Sequence, residues 1–355
     1  MNLERLEWIA YEAGTRRDGR PNAHYVLRVT AEGGLRGWSF CQWPGLGTDD
    51  EHRRAEHLLT GIDLADTRAV WDLLWEGGVR GIAQSMIDMA LWDLRGRAEN
   101  RPVHELLGTK RHRVPAYVSS HFNVGGGAPE AYAEEALSVR ERGFHGYKVH
   151  PTHGEEWERG KVSCDLEADL AIASAVRSAI GDDPDFALMW DNYHTYSYPE
   201  AVRVGHMLED LGYLWYESPM WEQDQDMDDY VRLCRELDIT ICAPEVNDGA
   251  HMSRLRWMEA GACDMSRIDF QYGGLTSCLE VARACGRAGM ALDLHTGHYM
   301  HLQVMGATTD RTIPYLEHYA SSPSVQFEDG RALVPESPGL SLEPDWDYIE
   351  AHRLE

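Results

Sequence analysis

The stretch GFHGYKVHPTHG, residues 143–154, decides the fold: a glycine break releases a short β-like run that stops at Lys148 and His150. The chain has only three lysines, Lys110, Lys148 and Lys161, within a basic total of 33. A sequence that uses arginine almost everywhere else and keeps a lysine at a strand end points to a task arginine cannot perform.

Working outward, the same unit recurs. Strand-like segments VPAYVSS, GYKVHP, FALMWDN, YLWYESP, ITICAPE, DMSRIDF, ALDLHT and IPYLEHY follow one another from residue 114. Between most of them lie amphipathic helical stretches such as PEAYAEEALSVRERG and LEADLAIASAVRSAI. Strand–helix alternation of this kind predicts an α/β protein with a modified (β/α)8 barrel over residues 113–322. Residues 1–112 read as a separate α+β capping domain. There HYVLRVTAEGGLRGWSFCQW has a hairpin pattern, and GIAQSMIDMALWDLRGRAENRP is helical, with Ile82, Met86, Met89 and Ala90 on one face and Pro102 as its break. The Pro- and Gly-rich tail, residues 323–355, is expected to fold back and complete the cap.

Composition narrows the partners. The 355 residues carry a formal charge of −26, a surface that repels nucleic acid and anionic membranes, so neither is an expected partner. Seven cysteines without a CxxC pair fit a reduced, cytoplasmic protein better than a disulfide framework or a zinc site. The opening MNLERLEWIA is charged and does not read as a signal peptide, and no window of 18 apolar residues suggests a membrane span.

Each strand candidate after the first ends in an ionisable residue. Lys148 and His150 are followed by Asp191, and then by Glu217, Glu245, Asp269, His295 and Glu317 at intervals of 22 to 28 residues. Taken singly, each of these acids reads more readily as a helix N-cap or loop solvator, and a single histidine as a satisfied structural residue. In a barrel, however, all of them converge on one mouth. Three carboxylates from adjacent strands suit a hard cation such as Mg²⁺, whereas zinc would draw histidine or cysteine. Lys148 and His150 then flank the metal on one side, and His295 with Asp269 on the other. Proton-transfer groups around a metal-held, small anionic substrate point to removal of a proton α to a carboxylate. The metal, the Lys148 ammonium and a hydrogen bond from Glu317 would stabilise the dianionic intermediate. An ammonium is a compact charge whose pKa can be tuned, which answers why arginine does not replace it.

ALWDLRGRAENRPVHELLG, YKVH, WDNY, YESP, APE, YGGLTSCLEVARACGRAG, LDLH and YLE together resemble the enolase superfamily, and within it the mandelate racemase-like subgroup, over nearly the whole chain. The resemblance implies a cap over a modified barrel, Mg²⁺ held by Asp191, Glu217 and Glu245, a His295–Asp269 dyad and a symmetric homo-oligomer. Two positions depart from the family pattern. His150 stands where a second lysine usually acts as base, and Asp269 precedes Gly273 by four residues instead of five. Cap loops close over the substrate in this family, so Arg16, Arg17 and His24 in GTRRDGRPNAH are candidates for its distal end, against the reading of a solvated turn. His194, next to a metal ligand, is a further substrate-binding candidate; His153, His298 and His301 are weaker ones.

The leading expectation is dehydration of an acid sugar to a 2-keto-3-deoxy acid. Racemisation or epimerisation at the α-carbon uses the same groups, with either His150 or His295 as base. A non-catalytic acid-binding protein is the alternative from another class. Cycloisomerisation is disfavoured, because that branch places a lysine at the sixth strand end and none follows Lys161.

Overall fold

The computed structural model describes residues 1–15, 21–41, 47–151, 165–319 and 325–354. The cap begins with an antiparallel sheet of β1 (Leu3–Thr15), β2 (Pro21–Ala31) and β3 (Arg36–Cys41). Alternation along β2 sends Leu27, Val29 and Ala31 into the main core and Val26 to the opposite face. Helices α1 (Asp49–Leu59), α2 (Thr67–Glu76), α3 (Gly81–Ala98) and α4 (Val103–Leu107) follow. Helix α3 is not one-faced as its pattern suggests: Met86, Met89 and Ala90 are buried, but so are Gln84, Ser85, Asp88 and Asp93, while Ile82 is only half-buried. It is sandwiched between the cap sheet and the barrel, so polar side chains on it face protein on every side.

Eight described parallel strands form the barrel: β4 (Arg113–Ser119), β5 (Gly146–Val149), β6 (Ala187–Asp191), β7 (Trp215–Glu217), β8 (Thr240–Cys242), β9 (Met265–Ile268), β10 (Ala291–Leu294) and β11 (Leu316–His318). Successive strands pair in register from β4 to β10, and β11 returns to pair with β4. The seam between β10 and β11 is held by the Leu292 N–H, which donates to the Thr312 carbonyl at 2.8 Å. Helices α5 (Pro129–Glu141), α6 (Leu166–Ile180), α7 (Tyr198–Asp210), α8 (Met227–Glu236), α9 (Ala250–Ala260), α10 (Gly274–Ala288) and α11 (Tyr299–Gly306) connect them.

The eighth unit differs from the expected repeat. Among the described residues β11 is followed by no barrel helix but by the hairpin β12 (Phe327–Glu328) and β13 (Arg331–Leu333), which adds antiparallel to β4. The chain then returns to the cap, where α12 (Trp346–Ala351) sets Ile349 against Ile9, Tyr11, Val26 and Trp38. Backbone bonds from Leu354 to Ala10 and from Glu12 to His352 fix this tail to β1.

Inside the barrel the strand period sorts chemistry by depth. Tyr117, Met189, Trp215, Cys242 and Met265 form one buried apolar cluster. Two residues further along their strands stand Ser119, Asp191, Glu217 and Arg267, also buried. The C-terminal end of the barrel is therefore charged while its floor is packed.

Candidate active site

Asp191 and Glu217 are the last residues of β6 and β7, and Glu245 lies just beyond β8. Each offers an oxygen within 4.8 Å of the others, and all three are buried. Each is aimed by a neighbour. The Tyr193 N–H donates to Asp191 Oδ1 at 3.0 Å, and the Trp215 indole N–H to Glu217 Oε2 at 3.2 Å. The Glu245 N–H donates to Glu222 Oε2 at 2.6 Å, and Arg254 caps the Glu245 carbonyl at 2.6 Å. Tyr193, Ser218 and Thr296, which follow Asp191, Glu217 and His295, sit at φ of 51°, 45° and 56°. Non-glycine residues in this region cost roughly 1 kcal/mol or more each, and they gather where the chain must turn sharply to present a side chain.

An all-oxygen, buried donor set fits Mg²⁺, and the charge count supports it. Six buried carboxylates (Asp191, Glu217, Glu245, Asp269, Asp293 and Glu317) surround Lys148, Arg267, His150 and His295. When all six are ionised, as a bound cation would favour, they exceed these four basic groups by two charges, the amount one divalent cation neutralises. Within this cluster burial pushes Glu217 well above the carboxylate range, Asp191 adding to it. Burial acts on Asp191 too, but His150 and Lys148 outweigh it and hold that carboxyl low.

On one flank Lys148 is wholly buried, with Nζ at 2.9 Å from both Glu217 oxygens, 2.6 Å from Glu317 and 3.4 Å from Asp191. Burial and Arg267 oppose its charge, but the three carboxylates prevail and raise its pKa. His150 Nδ1 donates to the Ser120 carbonyl at 2.8 Å, leaving Nε2 at 2.9 Å from Asp191 Oδ2. Because a carbonyl only accepts, Nδ1 carries a proton in either charge state of the ring, and Nε2 is the nitrogen turned to Asp191. Phe122 and Tyr319 wall the ring at centroid distances of 4.8 and 6.1 Å.

On the opposite flank His295 Nδ1 lies 2.7 Å from Asp269 Oδ2, and Nε2 is 3.3 Å from Glu245. The short Asp269–Gly273 spacing is closed by a tight turn in which the Gln271 N–H donates to Asp269 Oδ1 at 3.1 Å. Burial lowers the His295 pKa, but Glu245 and Asp269 reverse this and leave it raised. Gly297 lets the next turn press against β11, since a Cβ there would lie 2.0 Å from the Glu317 carbonyl oxygen. Glu317 accepts from Ser119 at 2.5 Å, Arg267 at 2.9 Å and the Thr296 N–H at 2.7 Å. Burial would raise it; Lys148 and Arg267 hold it well below the usual range.

The remaining candidates separate. His24 lines a cavity of about 610 Å³ between cap and barrel, together with Tyr11, Phe40, Phe270 and His298. A second hollow of about 670 Å³, bounded by Arg80, Gln84, Asp248 and Tyr272, lies on the other side of the turn after Asp269. His194 Nε2 lies 3.1 Å from Glu222 Oε2, the oxygen that also accepts from the Glu245 and Val246 N–H groups. His301 is fully buried, its Nδ1 bound to the Thr296 carbonyl at 2.5 Å. Arg16, Arg17 and His153 lie outside the described residues. Arg267, Asp293 and Glu222 are site residues that the strand-end pattern passes over. The first two lie two positions inside Asp269 and His295, where period-two reading would have reached them.

The chain as a whole is similar to known proteins. The family described as Enolase C-terminal domain-like matches residues 131–348, and the Mandelate racemase / muconate lactonizing enzyme N-terminal domain matches residues 14–108. The chain belongs to the enolase superfamily, mandelate racemase-like subgroup, and is an enzyme. It is 28% identical to the D-galactarolactone cycloisomerase of Agrobacterium fabrum over 99% of this chain and 96% of that protein. It is 26% identical to the arabinonate dehydratase of Saccharolobus solfataricus over 76% of this chain and 74% of that protein. The crystal structure of D-glucarate dehydratase from Agrobacterium tumefaciens complexed with magnesium superposes with a TM-score of 0.88 at 29% identity, covering all of both chains. Among the described residues no helix is long and apolar enough to cross a membrane.

Proposed function

We propose that this enzyme is a Mg²⁺-dependent acid-sugar dehydratase that removes the proton α to the substrate carboxylate and expels the β-hydroxyl as water. The observation that carries the reading is a buried carboxylate triad set between two imidazoles, each with Nδ1 held by an acceptor. Asp191, Glu217 and Glu245 would hold Mg²⁺, which supplies a positive charge for the substrate carboxylate. With Glu245 committed to that cation, His295 is left with Asp269 alone, and Nε2 takes the α-proton. Lys148, held by Glu317, would stand where the substrate carboxylate gains its second charge, and the ammonium stabilises it. His150, on the opposite face, delivers a proton to the departing hydroxyl. The C–H and C–O bonds break, water leaves, and the enol tautomerises to a 2-keto-3-deoxy acid. The substrate is a small anionic molecule, and relatives named as dehydratases support the acid-sugar class.

Cycloisomerisation, disfavoured on the missing lysine, returns as a second reading because the cycloisomerase relative spans 99% of the chain. There the leaving β-oxygen belongs to a ring of the same molecule and no water is lost; His295 would serve as base in place of a lysine. Incubation of acid sugars and their lactones with Mg²⁺ in D₂O, followed by proton NMR, tests both. A 2-keto-3-deoxy acid from an open acid sugar supports dehydration, and turnover of lactones alone supports the second reading. Deuterium entry at the α-carbon without loss of oxygen would overturn both in favour of racemisation or epimerisation.

A further inference from the structure

Arg267 sits on β9, fully buried, one layer deeper than Asp269. Its Nε donates to Glu245 Oε2 at 3.1 Å and lies 2.9 Å from Glu217 Oε1. Nη2 donates to Glu317 Oε2 at 2.9 Å, and Nη1 pairs with Asp293, which also accepts from the Tyr117 hydroxyl at 3.1 Å. One guanidinium thus touches two of the three carboxylates of the triad and the partner of Lys148. Its planar fork reaches in three directions at once, and its charge cannot be lost at any ordinary pH.

Lys148 cannot do this work alone. Its ammonium is already shared among Glu217, Glu317 and Asp191. Among the described residues, loss of Arg267 would leave Asp293 the Tyr117 hydroxyl and Glu245 the His295 ring as direct side-chain partners. Buried carboxylates that lose a partner are strongly destabilising, because the remaining charge has neither water nor a counter-ion.

We propose that Arg267 is the resident counter-charge of the metal centre, a positioning residue that keeps Glu217, Glu245 and Glu317 assembled before the cation arrives. The inference rests on the Mg²⁺ reading above. It makes Arg267 and the cation partial substitutes: removing one increases dependence on the other.

The test is thermal unfolding of chelator-treated wild type, Arg267→Gln and Arg267→Lys, each with and without saturating Mg²⁺. Without metal, Arg267→Gln should melt roughly 5–10 °C below wild type. Mg²⁺ should restore most of that deficit, so the metal-induced rise is larger in the variant, with Arg267→Lys in between. An equal deficit with and without Mg²⁺, in a protein whose wild type is stabilised by the metal, means ordinary packing and overturns the proposal. If Arg267→Gln does not fold even with Mg²⁺, Arg267→Lys decides by the same criterion. A wild type that Mg²⁺ does not stabilise at all would instead remove the metal reading, and this inference with it.

Discussion

The two flanks of the triad are built from similar parts but held by different bodies. Lys148 and His150 are locked by the barrel itself, through Glu217, Glu317, Asp191 and the Ser120 carbonyl, behind an aromatic wall. His295 keeps 13% side-chain exposure, and its partner Asp269 begins a turn that the cap grips. The Ser85 hydroxyl of α3 donates to the Gln271 carbonyl at 2.8 Å and accepts from the Gly273 N–H at 2.9 Å. Trp71 donates to the Gly273 carbonyl at 2.7 Å, and Asp88 accepts from the Thr276 N–H at 2.9 Å. The first flank is as rigid as the barrel; the second is only as well placed as the cap is seated. Chemistry that must open for each substrate is expected on the second.

The difference is broken or kept by exchanging the histidines. His295→Asn should lower kcat by roughly 10³-fold or more and abolish α-proton exchange in D₂O. His150→Asn should cost about 10²-fold in dehydration while leaving exchange measurable, since that ring acts after the α-proton has gone. Exchange lost in His150→Asn and kept in His295→Asn would reverse the assignment of the two flanks.

A smaller effect separates orientation from chemistry on the second flank. Asp269→Asn keeps the shape but can no longer offer His295 Nδ1 a charged acceptor, so the tautomer with Nε2 free is no longer enforced. A loss of about 10- to 100-fold in kcat with KM nearly constant is expected from steady-state kinetics. A change confined to KM would show that Asp269 holds substrate and not the imidazole.

What the sequence revealed followed strand period and stopped where that period was read too shallowly. Lys148, Asp191, Glu217, Glu245, Asp269, His295 and Glu317 are legible because each lies at or within a few residues of a strand's C-terminal end, and the barrel brings those ends together. Arg267 and Asp293 are equally buried, but each is followed two positions later by another ionisable residue, Asp269 or His295, and a charged residue before it reads as an exposed face until the barrel closes around it. Helix α3 misleads for the same reason: its polar residues look solvated, yet Ser85 and Asp88 bind the turn after Asp269. That β12 and β13, and no helix among the described residues, follow β11 was invisible because a Pro- and Gly-rich tail does not announce what it pairs with.

Asp88 gives the mildest test of the comparison. It is buried, pushed up to about 7 from 3.8 by burial, and its partners are the Thr276 hydroxyl and the Thr276 and Leu275 N–H groups. A folded-state pKa above the unfolded one contributes stability that is fully present below about pH 3.8 and is lost as pH rises through 7. The grip of the cap on the dyad turn is therefore weakest in the alkaline range. Gly274 fits here because a Cβ would lie 2.8 Å from the Asp88 Cβ, so the contact cannot relax by sliding. Asp88→Asn is neutral throughout and still accepts from Thr276. Relative to wild type it should gain stability between pH 5 and 8, by at most about 4 kcal/mol and more realistically about 1–2 kcal/mol. Melting curves across that range measure the gain, and parallel profiles for the two proteins would show that Asp88 is ionised at every pH tested. The same variant should slow amide exchange at Gln271 and Gly273 at pH 8 while leaving the Lys148–His150 strand unchanged. A matching change on β5 would mean that the cap seats both flanks and that the asymmetry between them is not one of support.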